Sequence, residues 1–345
     1  MKYLLAILIS ILLSTNAFAD DVEENLDTEV LMLTMEAVMG NPMSQVLLAH
    51  EYESGELVPL NLEEAYYWYT RASEQGVPLA MQRLGIMNKK GKGTPKDLMQ
   101  AMDWFKKADE LGYPPAPYQI GFMYYKGEGV PVDKEQAARW FKKSAELGLS
   151  EPQFNLALML YQGDGIPQNY EQAVYWYRQA AEQGNAWAQS NLGIRYAKGE
   201  GVSKNLNKAA YWYEQAALQD IAAAQFNVAV AYKMGWGVAE DQPRAIYWLQ
   251  EAAKQGHSNA QNNLAVSYYT GEWVDKNYIF AYTWIKVAAR SGSEQAQSGL
   301  EDVESMLTPN GIVEAEVLAD ICYLSGYEDC PYQDIVLNKL ALQNR

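Results

Sequence analysis

Apolar positions recur about every four residues over most of the chain. In the segment 188–196, Ala188, Leu192 and Tyr196 are four residues apart, which places them on one face of an α-helix. Glycine pairs interrupt such segments, as in Gly199-Glu200-Gly201, and glycine accepts the positive φ that a tight turn between helices demands. The pattern predicts short helices joined by tight turns.

The pattern itself repeats every 36 residues. Seven tryptophans keep this spacing, an alanine precedes each by three residues, and a glycine follows each by eight residues in every repeat except the one with Asp220. Asparagine or aspartate, the preferred N-caps of helices, lies seven residues before each tryptophan. Each repeat is therefore predicted to be two antiparallel helices, in which small residues let neighbouring helices approach. The tryptophans in register are Trp68, Trp104, Trp140, Trp176, Trp212, Trp248 and Trp284.

These motifs resemble the Sel1-like repeat family, which is related to tetratricopeptide repeats. Residues 185–220 carry nearly all of the family pattern, in Asn191-Leu192-Gly193, Tyr196, Gly199-Glu200-Gly201-Val202 and the segment from Ala209 to Ala217. The resemblance implies an all-α fold, a right-handed α-solenoid of antiparallel helix pairs, with seven repeats over 41–292. It also implies a role as an adaptor or scaffold.

Both ends of a repeat array need segments that cover the apolar faces of the terminal repeats. At the start, residues 20–40 are predicted to form such a cap, with a helix over Glu24–Met39. At the end, residues 293–345 are predicted to close the array with helices over Ser293–Leu307, Ile312–Leu324 and Tyr332–Leu342.

The first residues of the chain predict export. A positive Lys2 and the apolar run Leu4–Leu13 precede Ala17-Phe18-Ala19, which matches a signal peptide over 1–19 that is cleaved after Ala19. We therefore expect a periplasmic or secreted protein with no integral membrane segment after cleavage. In that oxidising setting Cys322 and Cys330 are candidates for a disulfide, and two buried thiols are the alternative.

Charge and residue types exclude several classes of function. The chain has 43 acidic and 27 basic residues, a net charge of −16, which disfavours nucleic acid and anionic membranes as partners. His50 and His257 lie too many repeats apart to share a site. We therefore expect no catalytic residues, no cofactor and no metal. The acidic turn residues are interpreted as a solvated edge, with binding of a basic segment as the alternative: Glu128, Asp164, Glu200 and Glu272.

The positions 14, 18 and 21 residues after each register tryptophan form a stripe on the first helix of the next repeat. In two repeats this stripe is apolar, whereas in the following one it contains Ser190, Ile194 and Ala197. A row of rings on a first helix is a candidate surface for an extended or helical peptide, and packing between repeats is the alternative. The candidate residues are Tyr118, Phe122, Tyr125, Phe154, Leu158 and Tyr161.

Trp236 and Trp273 lie outside the 36-residue register, at the turns of consecutive repeats. Exposed indoles at these turns suit a protein hot spot or a stacked sugar ring, and packing against the last repeat is the alternative. The predicted function is binding of a partner protein or peptide in envelope assembly, secretion or host contact. The alternatives are an enzyme like a β-lactamase or penicillin-binding protein, and a module that binds peptidoglycan or exopolysaccharide.

Overall fold

The computed structural model describes residues 21–332, and within them the chain forms seventeen α-helices and no strand. The proposed signal peptide over 1–19 and all but the first residue of the predicted helix Tyr332–Leu342 lie outside the described residues. No helix between Asp21 and Tyr332 is both long enough and apolar enough to cross a bilayer.

The helices are short and nearly uniform in length. They are α1 Asp21–Met39, α2 Pro42–Ser54, α3 Leu62–Glu74, α4 Pro78–Lys90, α5 Leu98–Glu110, α6 Pro115–Lys126, α7 Lys134–Glu146, α8 Ser150–Gln162, α9 Tyr170–Glu182, α10 Ala186–Lys198, α11 Leu206–Ala217, α12 Ala222–Met234, α13 Gln242–Lys254, α14 Ser258–Thr270, α15 Tyr278–Arg290, α16 Glu294–Glu304 and α17 Pro309–Leu324.

The chain divides into two compact units, the first ending at Leu147 and the second beginning at Gly148. Helices α1 to α7 belong to the first unit, and α8 to α17 belong to the second. Within each unit the helices up to α16 pack most closely on their neighbours along the chain, as an array of helical hairpins requires. The predicted all-helical repeat fold is confirmed.

Capping side chains start the second helix of every hairpin. In each of the seven, the predicted asparagine or aspartate accepts a hydrogen bond from the backbone N–H three residues further on, as Asn169 does from Gln172 at 2.9 Å. This bond satisfies one of the N–H groups that a helix start leaves free. The caps are Asn61, Asp97, Asp133, Asn169, Asn205, Asp241 and Asn277.

The core of each hairpin is filled by the residue after the register tryptophan. Tyr69, Phe105, Phe141, Tyr177 and Tyr213 are buried there. Opposite this ring the first helix has glycine in three of these hairpins, as Gly85, Gly121 and Gly193, and alanine in the other two. A Cβ on Gly193 would lie only 2.6 Å from the ring of Tyr213, so the close helix approach requires glycine. The indoles beside these rings in α3, α5, α7, α9 and α11 are half-buried.

A second close approach joins successive repeats in the second unit. A Cβ on Gly237, the second glycine of its turn, would lie 2.1 Å from the carbonyl oxygen of Leu206 in the hairpin before. In the last repeat Trp273 occupies this position and keeps the left-handed backbone, with φ of 74°. A side chain at that φ is unfavourable, so this junction differs from the others in backbone strain.

Buried glutamines also connect successive helices, and the sequence analysis did not identify them. Gln189 donates to the carbonyl of Ala181 at 3.1 Å and accepts from Gln219 at 2.8 Å. Gln45, Gln153, Gln225 and Gln261 are buried at the same register position. The second and third repeats have Met81 and Pro117 at this position instead. In these repeats apolar residues replace the hydrogen-bonded pair of glutamines.

The C-terminal segment covers the second helices of the last two repeats. Helix α17 packs on α15, and the indole N–H of Trp284 donates to the carbonyl of Pro331 at 2.9 Å. The ring of Tyr332 lies 5.3 Å from that indole. Trp284 is consequently 0% exposed, and Trp248 is 0% exposed as well, unlike the earlier tryptophans in register. The helices predicted over Glu24–Met39, Ser293–Leu307 and Ile312–Leu324 are present as α1, α16 and α17.

Candidate binding site

The aromatic stripe of the third repeat is both core and surface. Tyr118, Phe122 and Tyr125 lie on α6 and are half-buried. Their ring centroids lie 5.5, 5.7 and 6.4 Å from that of Phe141 on α7. These distances are those of favourable edge and tilted ring pairs. One side of the stripe therefore stabilises its own hairpin, and the other side remains available for contact.

The stripe of the fourth repeat has the same double character. Phe154, Leu158 and Tyr161 on α8 are half-buried, and the ring of Phe154 lies 6.0 Å from that of Tyr177. The guanidinium carbon of Arg195, on α10, lies 3.8 Å from the centroid of the Tyr161 ring. A cation over an aromatic face is an attractive contact. The far end of this stripe is thus fixed by a residue of the next repeat.

Arg195 is an unusual core residue that sequence reasoning missed. It is only 4% exposed, and at its register position the three preceding repeats have buried methionines. A buried charge must be paired, and Glu200 lies 2.9 Å from the guanidinium. The hydroxyl of Tyr161 donates to the same carboxylate at 3.4 Å. The replacement of methionine by arginine in the aligned repeats is a signal that could have revealed this cluster.

Tyrosines beside Arg195 stay protonated at neutral pH. Burial raises the pKa of Tyr213 to about 12, although the nearby charge of Arg195 opposes the rise. Burial likewise raises the pKa of Tyr177, whose hydroxyl is buried without a hydrogen-bond partner among the described residues. These phenols therefore act as neutral packing groups rather than as bases.

A pocket of about 90 Å³ opens between the fifth and sixth repeats, beside this cluster. Ala197 lines it at the register position where the two preceding repeats have Tyr125 and Tyr161. The short side chain leaves the space that a ring fills elsewhere. Trp236, which is 50% exposed, forms part of the wall. The other lining residues are Leu206, Ala209, Ala210, Tyr213, Asn227, Val230 and Ala231.

The two turn tryptophans outside the register, Trp236 and Trp273, have different surroundings. Trp236 lies in the wall of the pocket and is half exposed, whereas Trp273 is partly covered by Lys233, whose Nζ lies 4.6 Å above its ring. Lys233 also lies 3.9 Å from Glu272. The two indoles are therefore not an equivalent exposed pair, because a lysine of the preceding repeat packs on one of them.

The acidic turn residues are less free than a solvated edge implies. Glu128 lies 2.7 Å from Lys89, and Glu200 pairs with Arg195. Each of these turns is thus tied to a basic residue on a first helix. Partial neutralisation weakens the interpretation of this edge as a site for a basic partner segment.

Histidine and cysteine take structural positions. The Nδ1 atom of His257 accepts from the backbone N–H of Ala260 at 3.3 Å, which makes it the N-cap of α14. Burial lowers the pKa of His257. Cys322 and Cys330 are joined in a disulfide, with Cα atoms 4.4 Å apart, beside the segment that covers Trp284. No group of acidic, histidine or cysteine side chains in residues 21–332 is arranged to hold a metal ion.

The fold and these surfaces define a helical repeat protein, and the comparisons give its family. The Sel1 repeat model matches the chain seven times, so the chain belongs to the Sel1 repeat family. The matched residues are 42–77, 78–113, 114–149, 153–185, 188–221, 222–257 and 258–293.

Several solved structures are similar to this chain. A Sel1 repeat protein from Oxalobacter formigenes is 32% identical with a TM-score of 0.63, over 83% of this chain and 82% of its own. A protective antigen of uropathogenic Escherichia coli strains, c5321, is 28% identical with a TM-score of 0.41, over 90% and 83%. The immunity protein Pa5087 from Pseudomonas aeruginosa is 21% identical with a TM-score of 0.36, over 69% and 88%. No curated protein matches the chain in sequence.

Proposed function

We propose that this protein is an exported, non-catalytic scaffold that binds a partner protein through the second unit. The observation that carries the proposal is Trp236, a half-exposed indole in the wall of a pocket between the fifth and sixth repeats. Tryptophan is among the residues that most often dominate binding energy at protein interfaces, where it packs into or beside a pocket. The unit thus offers a partner both an anchor and a cavity.

Two observations support export. The segment 1–19 has the charge and apolar pattern of a signal peptide, and Cys322 and Cys330 form a disulfide that an oxidising compartment maintains. The mature chain of the proposal begins at Asp20. Radiolabelling distinguishes the precursor from the shorter mature form. N-terminal sequencing of the protein recovered from the periplasm or medium then tests the cleavage site directly.

The side-chain chemistry supports binding over catalysis. The buried tyrosines near the pocket have raised pKa values, Arg195 is engaged by Glu200, and His257 caps a helix. None of these groups is arranged as a nucleophile with its base. The enzymatic alternative is tested by adding nitrocefin to the purified mature protein, where we expect no turnover.

Site-specific cross-linking tests the proposed partner surface. The photoreactive residue benzoylphenylalanine replaces Trp236 in the purified mature chain, which is then irradiated in envelope extract. We expect one discrete cross-linked protein, because the probe lies in the wall of the pocket. The matched control places the same probe at Tyr175, which is 53% exposed on the second helix α9.

The two probe positions separate specific from unspecific capture. A product at 236 that is absent at 175, and that unlabelled mature protein displaces, supports the proposal. The same products at both positions, or none at 236, contradict it. Quenching of tryptophan fluorescence by soluble muropeptides, abolished by Trp236→Ala, would instead assign the surface to glycan.

A further inference from the structure

An asparagine on the first helix has a different role in the sixth repeat from its role in three others. Asn155, Asn191 and Asn263 occupy one register position, and each donates its side-chain amide to the carbonyl four residues earlier, at 3.0, 2.9 and 2.8 Å. Asn227 occupies the same position, and no such bond forms from it within the described chain. Asn227 instead lines the pocket, and its side-chain amide has one acceptor and two donor hydrogens.

The rest of the pocket is apolar and shaped by the absence of a ring. Ala197 leaves open the space that Tyr125 and Tyr161 fill in the third and fourth repeats. Val230 and the side chain of Trp236 complete an apolar wall around it. A cavity of this character suits one aliphatic side chain, and Asn227 is placed to hold the main chain that carries it.

Basic residues outnumber acidic ones beside the pocket lining in the sequence, although Glu214 directly follows the lining residue Tyr213 and the whole chain has a net charge of −16. Lys198 directly follows Ala197, and Lys204 and Lys208 flank Leu206 on the chain. All three lysines are exposed. Lys204 and Lys208 form no ion pair with a described carboxylate, whereas Lys198 lies 3.9 Å from Glu200, which Arg195 also engages at 2.9 Å. Local charge complementarity therefore favours an acidic ligand.

We propose that the pocket binds an extended, acidic segment of the partner protein by taking up one aliphatic side chain of that segment. The amide of Asn227 bonds to the main chain beside the inserted residue, and Lys198, Lys204 and Lys208 attract the flanking carboxylates. This inference rests on the proposed function, since it names the chemistry of the partner at the same surface. A sugar is a poorer occupant, because the lining supplies one side-chain amide among mainly aliphatic and aromatic groups.

Differential peptide selection tests the inference without knowledge of the partner. A phage-displayed library of random heptapeptides is selected on the immobilised mature protein and, in parallel, on Ala197→Tyr. The tyrosine restores the residue of the third and fourth repeats, so the helical circular dichroism should be unchanged. We expect peptides enriched on the wild type alone to share one aliphatic residue with aspartate or glutamate beside it.

Fluorescein-labelled copies of an enriched peptide then give affinities by anisotropy. We expect Ala197→Tyr to weaken binding by about a hundredfold, since it fills the pocket, and Asn227→Ala by about tenfold through lost hydrogen bonds. Lys204→Glu should weaken binding at low salt more than at high salt. Lys142→Glu makes the same charge change at an exposed ion pair in the first unit and should have no effect.

The inference is wrong if no peptide is enriched on the wild type, or if the shared residue is polar or its flanks are basic. It is also wrong if Ala197→Tyr and Asn227→Ala leave the affinity unchanged. Should Ala197→Tyr perturb folding, Asn227→Ala alone decides. A protein cross-linked at position 236 together with any of these results would leave the proposed scaffold function standing and remove only the proposed ligand chemistry.

Discussion

The fifth and seventh repeats place the same residue in two environments. Trp212 on α11 is half-buried and has the exposed ring of Tyr211 beside it, 4.9 Å between centroids. Trp284 on α15 is fully buried under Pro331 and Tyr332. The repeat fixes where the indole lies on its helix, whereas the C-terminal segment decides whether it belongs to the surface or to the core. Position within a repeat therefore does not determine energetic role.

Removing each indole should give the largest difference between these repeats. Trp284→Ala deletes a buried ring and its hydrogen bond to Pro331, so we expect a loss of about 3–5 kcal/mol in the free energy of unfolding. Trp212→Ala should cost only about 1 kcal/mol, because that ring is half-exposed. Urea unfolding, with hydrogen exchange in α11 and α15 as the local readout, measures both. Equal losses would contradict the distinction between covered and open repeats.

Opening the disulfide should expose Trp284 of the seventh repeat, so that its surroundings become more like those of Trp212 in the fifth repeat. Cys322 and Cys330 are eight residues apart, and a loop of that length contributes about 2.5 kcal/mol when closed. We expect Cys330→Ser to increase iodide quenching of tryptophan fluorescence and to lower stability. Dithiothreitol should produce the same change in the wild type and no further change in the variant. Unaltered quenching would show that the C-terminal segment stays packed on Trp284 without the disulfide.

These two repeats also differ in their buried glutamines. Gln189 has partners for both ends of its amide, whereas the amide oxygen of Gln261 is buried without a partner among the described residues, because Ser291 occupies the position of the pairing Gln219. In the second repeat Met81 occupies the position of these glutamines. Replacement by methionine should therefore lower the free energy of unfolding more at Gln189 than at Gln261. We expect an excess of about 1 kcal/mol over Gln261→Met in the unfolding free energy. A reversed order would mean that the amide pair stabilises nothing.

The smallest expected effect is a pH dependence confined to the seventh repeat. Burial lowers the pKa of His257 below its usual 6.5, so from that pH downwards the unfolded chain binds a proton that the folded chain resists. Stability should therefore fall as the pH drops below 6.5, until the folded histidine is also protonated. His257→Asn, which copies the cap Asn185 of the fifth repeat, should flatten the dependence of the melting temperature on pH. An unchanged slope in that variant would assign the titration to another group.

Much of the fold was predictable, because its signals are local. The N-caps, the turn glycines and the left-handed Asp220 act within a few residues, and the 36-residue spacing repeats them often enough to exclude chance. The burial of Trp284 was not predictable, because it depends on a segment 47 residues later in the chain, at Pro331 and Tyr332. A contact with a segment so distant in the sequence produces no periodic pattern from which it could be predicted.

The candidate site was predictable only in outline. Trp236 could be singled out because it breaks the register, and the aromatic stripes because they follow helical spacing. The pocket exists because Ala197 has no ring, and Asn227 lines it without a hydrogen bond to its own helix. Both features become visible only when the packing is known. Arg195 lies between these cases, since aligned repeats show it replacing methionine but not the carboxylate that neutralises it.

The tight fit of Gly237 against Leu206, compared with Trp273 at the same position, has a consequence for how such an array can grow. A gene segment encoding the sixth repeat carries a glycine that any preceding hairpin of this kind can accept, so it can be duplicated in frame. The seventh repeat carries an indole on a left-handed backbone and is matched to one neighbour only. Lengthening by internal duplication is therefore open to the middle of this protein and closed at its last repeat.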